Sequence, residues 1–81
     1  MSTVVRHDLD FYSKPGSNGP LHEVMLWEAF SNGARRLVES GYGADDVEAL
    51  GDLLNRLMES GHSERTIRTV RERYARTRSQ V

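Results

Sequence analysis

The chain has 81 residues and no cysteine, so it has room for one domain and cannot form a disulfide bond or a thiolate metal site. Its formal net charge is −1, which by itself neither favours nor excludes nucleic acid as a partner. No segment approaches the roughly 18 apolar residues of a membrane-spanning helix, and the N-terminus lacks the pattern of a signal peptide, so we expect a cytoplasmic protein without membrane contact.

Residues 3–12 alternate between apolar and polar side chains, which is typical of a β-strand. A disordered arm with chance alternation is the alternative. A strand here would need a partner outside the chain, because no second strand is predicted. Residues 13–19 have the composition of a linker. We therefore predict an N-terminal arm and linker over residues 1–19, either flexible or forming a single strand.

The first predicted helix begins at Pro20, which suits the first helical position, and runs to about Ser40. A helical period places an apolar stripe on one of its faces, with Trp27 at the edge. The stripe comprises Leu26, Phe30, Gly33, Ala34, Leu37 and Val38. Three apolar residues lie off this face: Leu21, Val24 and Met25. The segment 31–33 contains a glycine, so we expect a kink or a break there.

Two segments twenty positions apart are nearly identical, Arg36–Tyr42 and Arg56–His62. Each is typical of the last turn of a helix, a glycine stop and the start of the next helix. Asp45 and Ser63 then suit the N-cap positions of a second and a third helix. The pattern predicts an all-α fold, a small three-helix domain or helical bundle over residues 20–81.

Two short stretches resemble known helical domains. Residues 37–50 resemble the first loop of ubiquitin-associated-type three-helix domains, in which a glycine–aromatic pair, here Gly41-Tyr42, closes the first helix. The later helices depart from that family, so ubiquitin binding is not transferred. Residues 61–68 resemble the helix start of helix-turn-helix proteins and are similar to the core-binding domain of tyrosine recombinases, where Gly-x-Ser-x-x-Thr-Ile opens a DNA-facing helix. This resemblance implies DNA contact by the third helix and no recombinase activity.

Catalytic and metal sites are not predicted. The three histidines, His7, His22 and His62, are dispersed, and none has a serine or cysteine in a plausible triad arrangement. On an alternating strand His7 points away from Asp8 and Asp10, so these residues would not share a metal ion. We therefore expect no enzyme activity, no metal and no cofactor.

The third predicted helix is basic, whereas the rest of the chain is acidic. Residues 61–81 carry six arginines and two glutamates, giving +4, and residues 1–60 carry five basic and ten acidic side chains, giving −5. Two Glu–Arg pairs with a spacing of four residues account for two of the arginines. The basic-face candidates are Arg65, Arg68, Arg71, Arg73 and Arg78. Three interpretations remain open: a solvated surface, contact with phosphates and contact with an acidic protein.

The leading hypothesis is a small non-enzymatic binding protein that acts through protein–protein contact as a regulator, adaptor or inhibitor. It depends on the possible unpaired strand, on the off-face apolar residues and on Trp27, because tryptophan is enriched at interface hot spots. The off-face residues could instead pack beneath the N-terminal arm. The protein-contact candidates are Phe11, Tyr12, Leu21, Met25 and Trp27.

The alternative hypothesis is a small DNA-binding regulator that uses the basic third helix, as a homodimer. In that case Arg65, Arg68, Arg71 and Thr66 would lie near phosphates or base edges. A ribbon-helix-helix dimer built on the N-terminal strand is a variant, although Asp8 and Asp10 argue against placing that strand in a groove.

Overall fold

The computed structural model describes residues 3–80 and contains a three-stranded antiparallel sheet followed by two helices. The strands are β1 (Val4–Lys14), β2 (Leu21–Phe30) and β3 (Arg35–Gly43), and the helices are α1 (Asp46–Glu59) and α2 (Glu64–Ser79). The strand order is β1-β2-β3, so β2 is central and the other two strands are edges. The fold is therefore α+β, and the predicted all-α three-helix domain or helical bundle is wrong.

The segment predicted as the first helix forms β2, a tight turn and β3. The turn is closed by the Phe30 N–H, which donates to the Ala34 carbonyl at 2.8 Å. Gly33 has a φ of +89°, a conformation that favours glycine. An Asn-Gly pair, here Asn32-Gly33, between two apolar segments is a strong hairpin signal. The helical spacing of the apolar residues around it obscured that signal, and the stripe assigned to a helix is divided among β2, the turn and β3.

The N-terminal strand is confirmed and extends to Lys14. It pairs antiparallel with β2, from Val4 opposite Phe30 to Lys14 opposite Leu21. The prediction that this strand lacks a partner within the chain is therefore wrong. Its partner was not recognised because β2 had been assigned to a helix.

The two C-terminal helices and their N-caps are confirmed. Asp45 Oδ1 accepts from the Glu48 N–H at 2.8 Å, and Ser63 Oγ accepts from the Thr66 N–H at 3.3 Å. Each side chain replaces a hydrogen-bond partner that the backbone lacks at a helix start. Neither helix of the described chain is long and apolar enough to cross a membrane.

The core lies between the helices and one face of the sheet. α1 packs on β3 and β2, and α2 packs on α1. The buried core residues are Val24, Leu26, Ala49, Leu50, Leu53, Leu57, Ile67 and Val70. Gly41 brings β3 against α1, because a Cβ there would lie 2.4 Å from the Ala49 carbonyl oxygen and 2.4 Å from the Leu53 nitrogen. Gly41 and Tyr42 are thus strand residues, so the resemblance to a ubiquitin-associated-type helix joint is wrong.

Candidate protein-binding face of the sheet

The face of the sheet opposite the helices carries aromatic and apolar side chains, because neighbouring residues in a strand point to opposite faces. One cross-strand row places Glu23 between Tyr12 and Tyr42, and another places Trp27 opposite Leu37. We call this surface the open face. It is defined by Tyr12, Leu21, Met25, Trp27, Leu37 and Tyr42. Both helices lie on the other side of the sheet, so no element of residues 3–80 covers it.

Four of the five predicted protein-contact residues come together on the open face. Tyr12 is on β1, and Leu21, Met25 and Trp27 are on β2. These residues belong to two paired strands, not to an arm and a helix. The fifth, Phe11, points to the helix side and packs against the core, where the Arg73 guanidinium lies 4.9 Å from its ring centroid.

Two members of the open face were missed by sequence reasoning. Leu37 is 45% exposed and Tyr42 is 40% exposed, and both are on β3. Leu37 had been placed in the buried stripe of a helix, and Tyr42 at a joint between helices. The hairpin signal of Asn32-Gly33 could have found both residues, since it turns the chain so that β3 lies beside β2.

The Arg35 side chain on β3 contacts residues of both other strands at the centre of the open face. Its guanidinium lies 4.8 Å from the centroid of the Trp27 ring system, within the range of a cation–π interaction. The same side chain pairs with Asp10 at 3.3 Å and approaches Asp8 at 3.7 Å. Trp27 Nε1 is buried and has no hydrogen-bond acceptor among the described residues. A buried indole N–H without an acceptor is uncommon, because its desolvation is uncompensated.

Tyr42 lies at the edge of the open face beside an acidic side chain. The Glu23 carboxylate raises the pKa of Tyr42 above its usual value, because it accepts from the phenol hydroxyl and because its negative charge disfavours the phenolate. Burial acts in the same direction, and the positive charge of Arg56 opposes both. Arg56 lies 5.6 Å from the Tyr42 ring centroid. In the cross-strand row of Tyr12, Glu23 and Tyr42, two tyrosines therefore flank one carboxylate.

The arginines of α2 divide into two groups. Arg71 pairs with Glu64 at 3.1 Å, and Arg73 covers Phe11. Arg65, Arg68 and Arg78 are exposed, and no carboxylate of residues 3–80 lies within 4.0 Å of their guanidinium nitrogens. Three of the five predicted basic-face residues are thus exposed without a carboxylate partner among residues 3–80.

Two finer predictions about α2 are wrong. Neither of the expected Glu–Arg pairs with a spacing of four residues forms. Glu64 instead contacts Arg71, seven residues along the helix. Thr66, suggested as a DNA-contacting residue, is only 6% exposed. Its hydroxyl lies 3.0 Å from Ser63 Oγ and 3.5 Å from His7 Nε2. It therefore joins α2 to β1 and cannot reach a nucleic acid.

A histidine–carboxylate pair joins β2 to the start of α1. His22 Nδ1 lies 2.9 Å from Asp46 Oδ1. An open groove of about 400 Å³ beside this pair is lined by His22, Asp45, Asp46, Val47, Thr77 and Gln80. The lining contains no serine or cysteine that could serve as a nucleophile. Residues 3–80 contain no group of three or more histidine and carboxylate side chains that could hold a metal ion.

Comparison of the chain with protein-family models, with curated proteins and with solved structures finds no match.

Proposed function

We propose that this chain is a small non-enzymatic binding protein whose open face docks on a partner protein. The observation that carries the proposal is that Tyr12, Leu21, Met25 and Trp27 share one uncovered sheet face with Leu37 and Tyr42. Apolar and aromatic side chains gathered on one exposed surface are typical of protein-interaction sites. Trp27 supplies the anchor, since tryptophan and tyrosine dominate interface hot spots.

The chemistry of the open face specifies its partner. Trp27 lies opposite exposed Leu37 on β3. On the β1 side Met25 and Trp27 lie opposite Asp10 and Asp8, whose charges are paired with Arg35. Glu23 at one end has no basic side chain of residues 3–80 within 4.0 Å. The partner surface should therefore present an apolar side chain to Trp27 and Leu37 and a lysine or arginine to Glu23.

A photo-crosslinking experiment tests where the partner binds. A photoreactive amino acid at position 12 should capture the partner in extracts of the source cells. The matched control places the same amino acid at position 68, which is also exposed and lies on α2. Capture from both positions with the same yield would contradict binding through the open face.

The captured protein, once purified, permits a quantitative test. Tyr12→Ala and Leu37→Ala remove exposed side chains, so the fold should persist, as circular dichroism would check. We expect each substitution to weaken binding by about tenfold, whereas Arg68→Ala should leave the Kd unchanged. Unchanged affinity in both open-face variants would refute the proposal.

We propose DNA binding through α2 as the second candidate function. The observation that favours it is that Arg65, Arg68 and Arg78 are exposed and have no carboxylate partner among the described residues. At a rise of about 1.5 Å per residue, these arginines extend over about 20 Å of the helix, a length that spans several phosphates.

Fluorescence anisotropy with duplex and single-stranded DNA at several salt concentrations tests this second function. Binding that weakens steeply with salt, and that is reduced by Arg65→Ala and Arg68→Ala, would support it. The absence of binding at low salt would exclude it. Tyr12→Ala should have no effect in this assay, which separates the two functions.

A further inference from the structure

The two edges of the sheet differ in how their outward backbone groups are satisfied. On β3, the Ser40 N–H donates to Glu39 Oε1 at 3.2 Å and the Tyr42 N–H donates to Asp52 Oδ2 at 2.9 Å. A register shift between Leu26 and Trp27 interrupts the pairing of β3 with β2. Bulges and side-chain caps of this kind block the addition of another strand.

The orientation of the β1 backbone follows from these caps. Since the Ser40 and Tyr42 amides point outward, Gly41 exchanges hydrogen bonds with its β2 partner Val24. Alternation along β2 then directs the Met25 amide toward Asp10 of β1. The outward backbone groups of β1 consequently belong to the residues between the bonded ones: Leu9, Phe11 and Ser13.

The edge formed by these three residues is unprotected. No side chain or loop of residues 3–80 accepts from the Leu9, Phe11 or Ser13 N–H. The register shift of β1 lies at its other end, between Val4 and Arg6. Residues 8–14 thus form a regular strand segment with unpaired donors and acceptors, which is a template for strand addition.

We infer that β1 pairs antiparallel with β1 of a second copy of this chain, so that two sheets join into one of six strands. Residues 8–14 of each copy form the two paired strands. A two-fold axis through Phe11 then places each outward N–H of one copy opposite an outward carbonyl of the other. In this register Phe11 lies opposite Phe11 of the second copy, and Leu9 lies opposite Ser13. This inference concerns the sheet edge and does not depend on the protein-binding function of the open face.

Charge and strand length together select this register among the alternatives. With the axis through Phe11, Asp8 lies opposite Lys14 and Asp10 lies opposite Tyr12, twice each, so no like charges meet. An axis through Asp10 would place that carboxylate against its own copy. An axis through Leu9 would place Asp8 against Asp10 twice. An axis through Tyr12 would also avoid like charges, with Asp10 opposite Lys14, but it would pair only residues 10–14 and would leave the Leu9 N–H without a partner in β1. Opposite charges in cross-strand pairs stabilise a sheet, and like charges destabilise it.

Sedimentation equilibrium from micromolar to millimolar concentration measures the self-association. We expect the mass to rise with concentration toward twice the 9.2 kDa of one chain. Lys14→Glu places a glutamate opposite Asp8, so the dimer dissociation constant should rise by about tenfold. The control is Arg68→Glu, which changes the charge equally on α2 and should leave the dimer intact. A monomeric mass at every concentration would overturn the inference.

Amide hydrogen exchange tests the pairing residue by residue. At high concentration, the Leu9, Phe11 and Ser13 amides should exchange more slowly, whereas the Asp10 and Tyr12 amides are already bonded to β2 and should not change. Ser13→Pro removes one outward donor at an exposed edge position, so the monomer should fold while the dimer weakens. Exchange at these three amides that is independent of concentration would refute β1 pairing even if the chain dimerised.

Discussion

Gly41 is the residue at which the sheet approaches α1 most closely. A methyl group there would lie within 2.6 Å of Leu53 Cβ as well as 2.4 Å from two backbone atoms of α1. These backbone atoms cannot move away without shifting the helix, because the interior is closely packed. The two nearly identical segments, Arg36–Tyr42 and Arg56–His62, therefore use their glycines differently. Gly41 permits a close strand–helix contact, and Gly61 follows the end of a helix.

We expect Gly41→Ala to lower the free energy of unfolding by about 1–3 kcal/mol, because an overpacked interface must rearrange. Gly51→Ala is the matched control, since it lies inside α1 and the atoms nearest to its Cβ would be those of the Tyr74 side chain, at 3.4 Å and beyond. Alanine there should be neutral or stabilise the fold by up to about 1 kcal/mol. Urea denaturation of the two variants checks this, and equal stability would contradict the described contact.

The raised pKa of Tyr42 predicts that the stability of the fold depends on pH. Because its folded-state pKa is raised, the folded protein retains the phenol proton to higher pH than the unfolded chain does. The contribution of Tyr42 to the free energy of unfolding should therefore be fully present below the ordinary tyrosine pKa. It should be lost as the pH rises through the raised value. Titration of the Tyr42 ring carbons by NMR measures the shift. Glu23→Gln should return the pKa toward its ordinary value, and an unchanged pKa in that variant would contradict the assigned cause.

At the level of elements, the sequence predicted β1, α1 and α2 because their signals are local. Alternation identified β1, and an N-cap residue followed by an apolar stripe identified each helix. The β2–β3 hairpin was missed because its apolar residues also fit a helical period. Leu26, Phe30 and Leu37 have that spacing, yet they belong to two strands. Sheet pairing joins residues that are distant in sequence, so spacing within one segment does not reveal it.

The residues of the candidate site were chosen from the sequence by their type, whereas their arrangement on a sheet was not predicted. Met25 was singled out as an apolar residue off the predicted helix stripe, and Trp27 as an anchor at its edge. Both lie on the open face. Leu37 was missed because a helix would have buried it. Phe11 was assigned to the surface, yet alternation along β1 turns it toward Arg73 and the core.

The start of α1 offers a prediction at the scale of one element. Asp45→Ala removes the acceptor for the Glu48 N–H and should lower the free energy of unfolding by about 1 kcal/mol. Asp45→Asn keeps an acceptor oxygen and should be close to the original protein in stability. Thermal denaturation distinguishes the two variants. A similar loss in both would show that the negative charge, and not the cap, is what matters.

Over the whole molecule, three surfaces face in different directions. The open face lies on one side of the sheet, α2 presents its arginines on the other side, and the edge of β1 lies between them. The acidic first 60 residues and the basic final 21 therefore correspond to different surfaces of one fold. Partner binding, DNA binding and self-association can be tested separately with Leu37→Ala, Arg68→Ala and Ser13→Pro, because each of these residues belongs to only one of the three surfaces.

Binding by the open face is the central claim, and the single tryptophan gives its most direct test. Trp27 contributes the chain's only indole N–H, so the proton–nitrogen NMR spectrum contains one indole signal. We expect this signal to shift when the purified partner is added, and to do so in the Arg68→Ala variant as well. A complex that forms while the indole signal and the Tyr12 and Leu37 amides stay unchanged would contradict the claim.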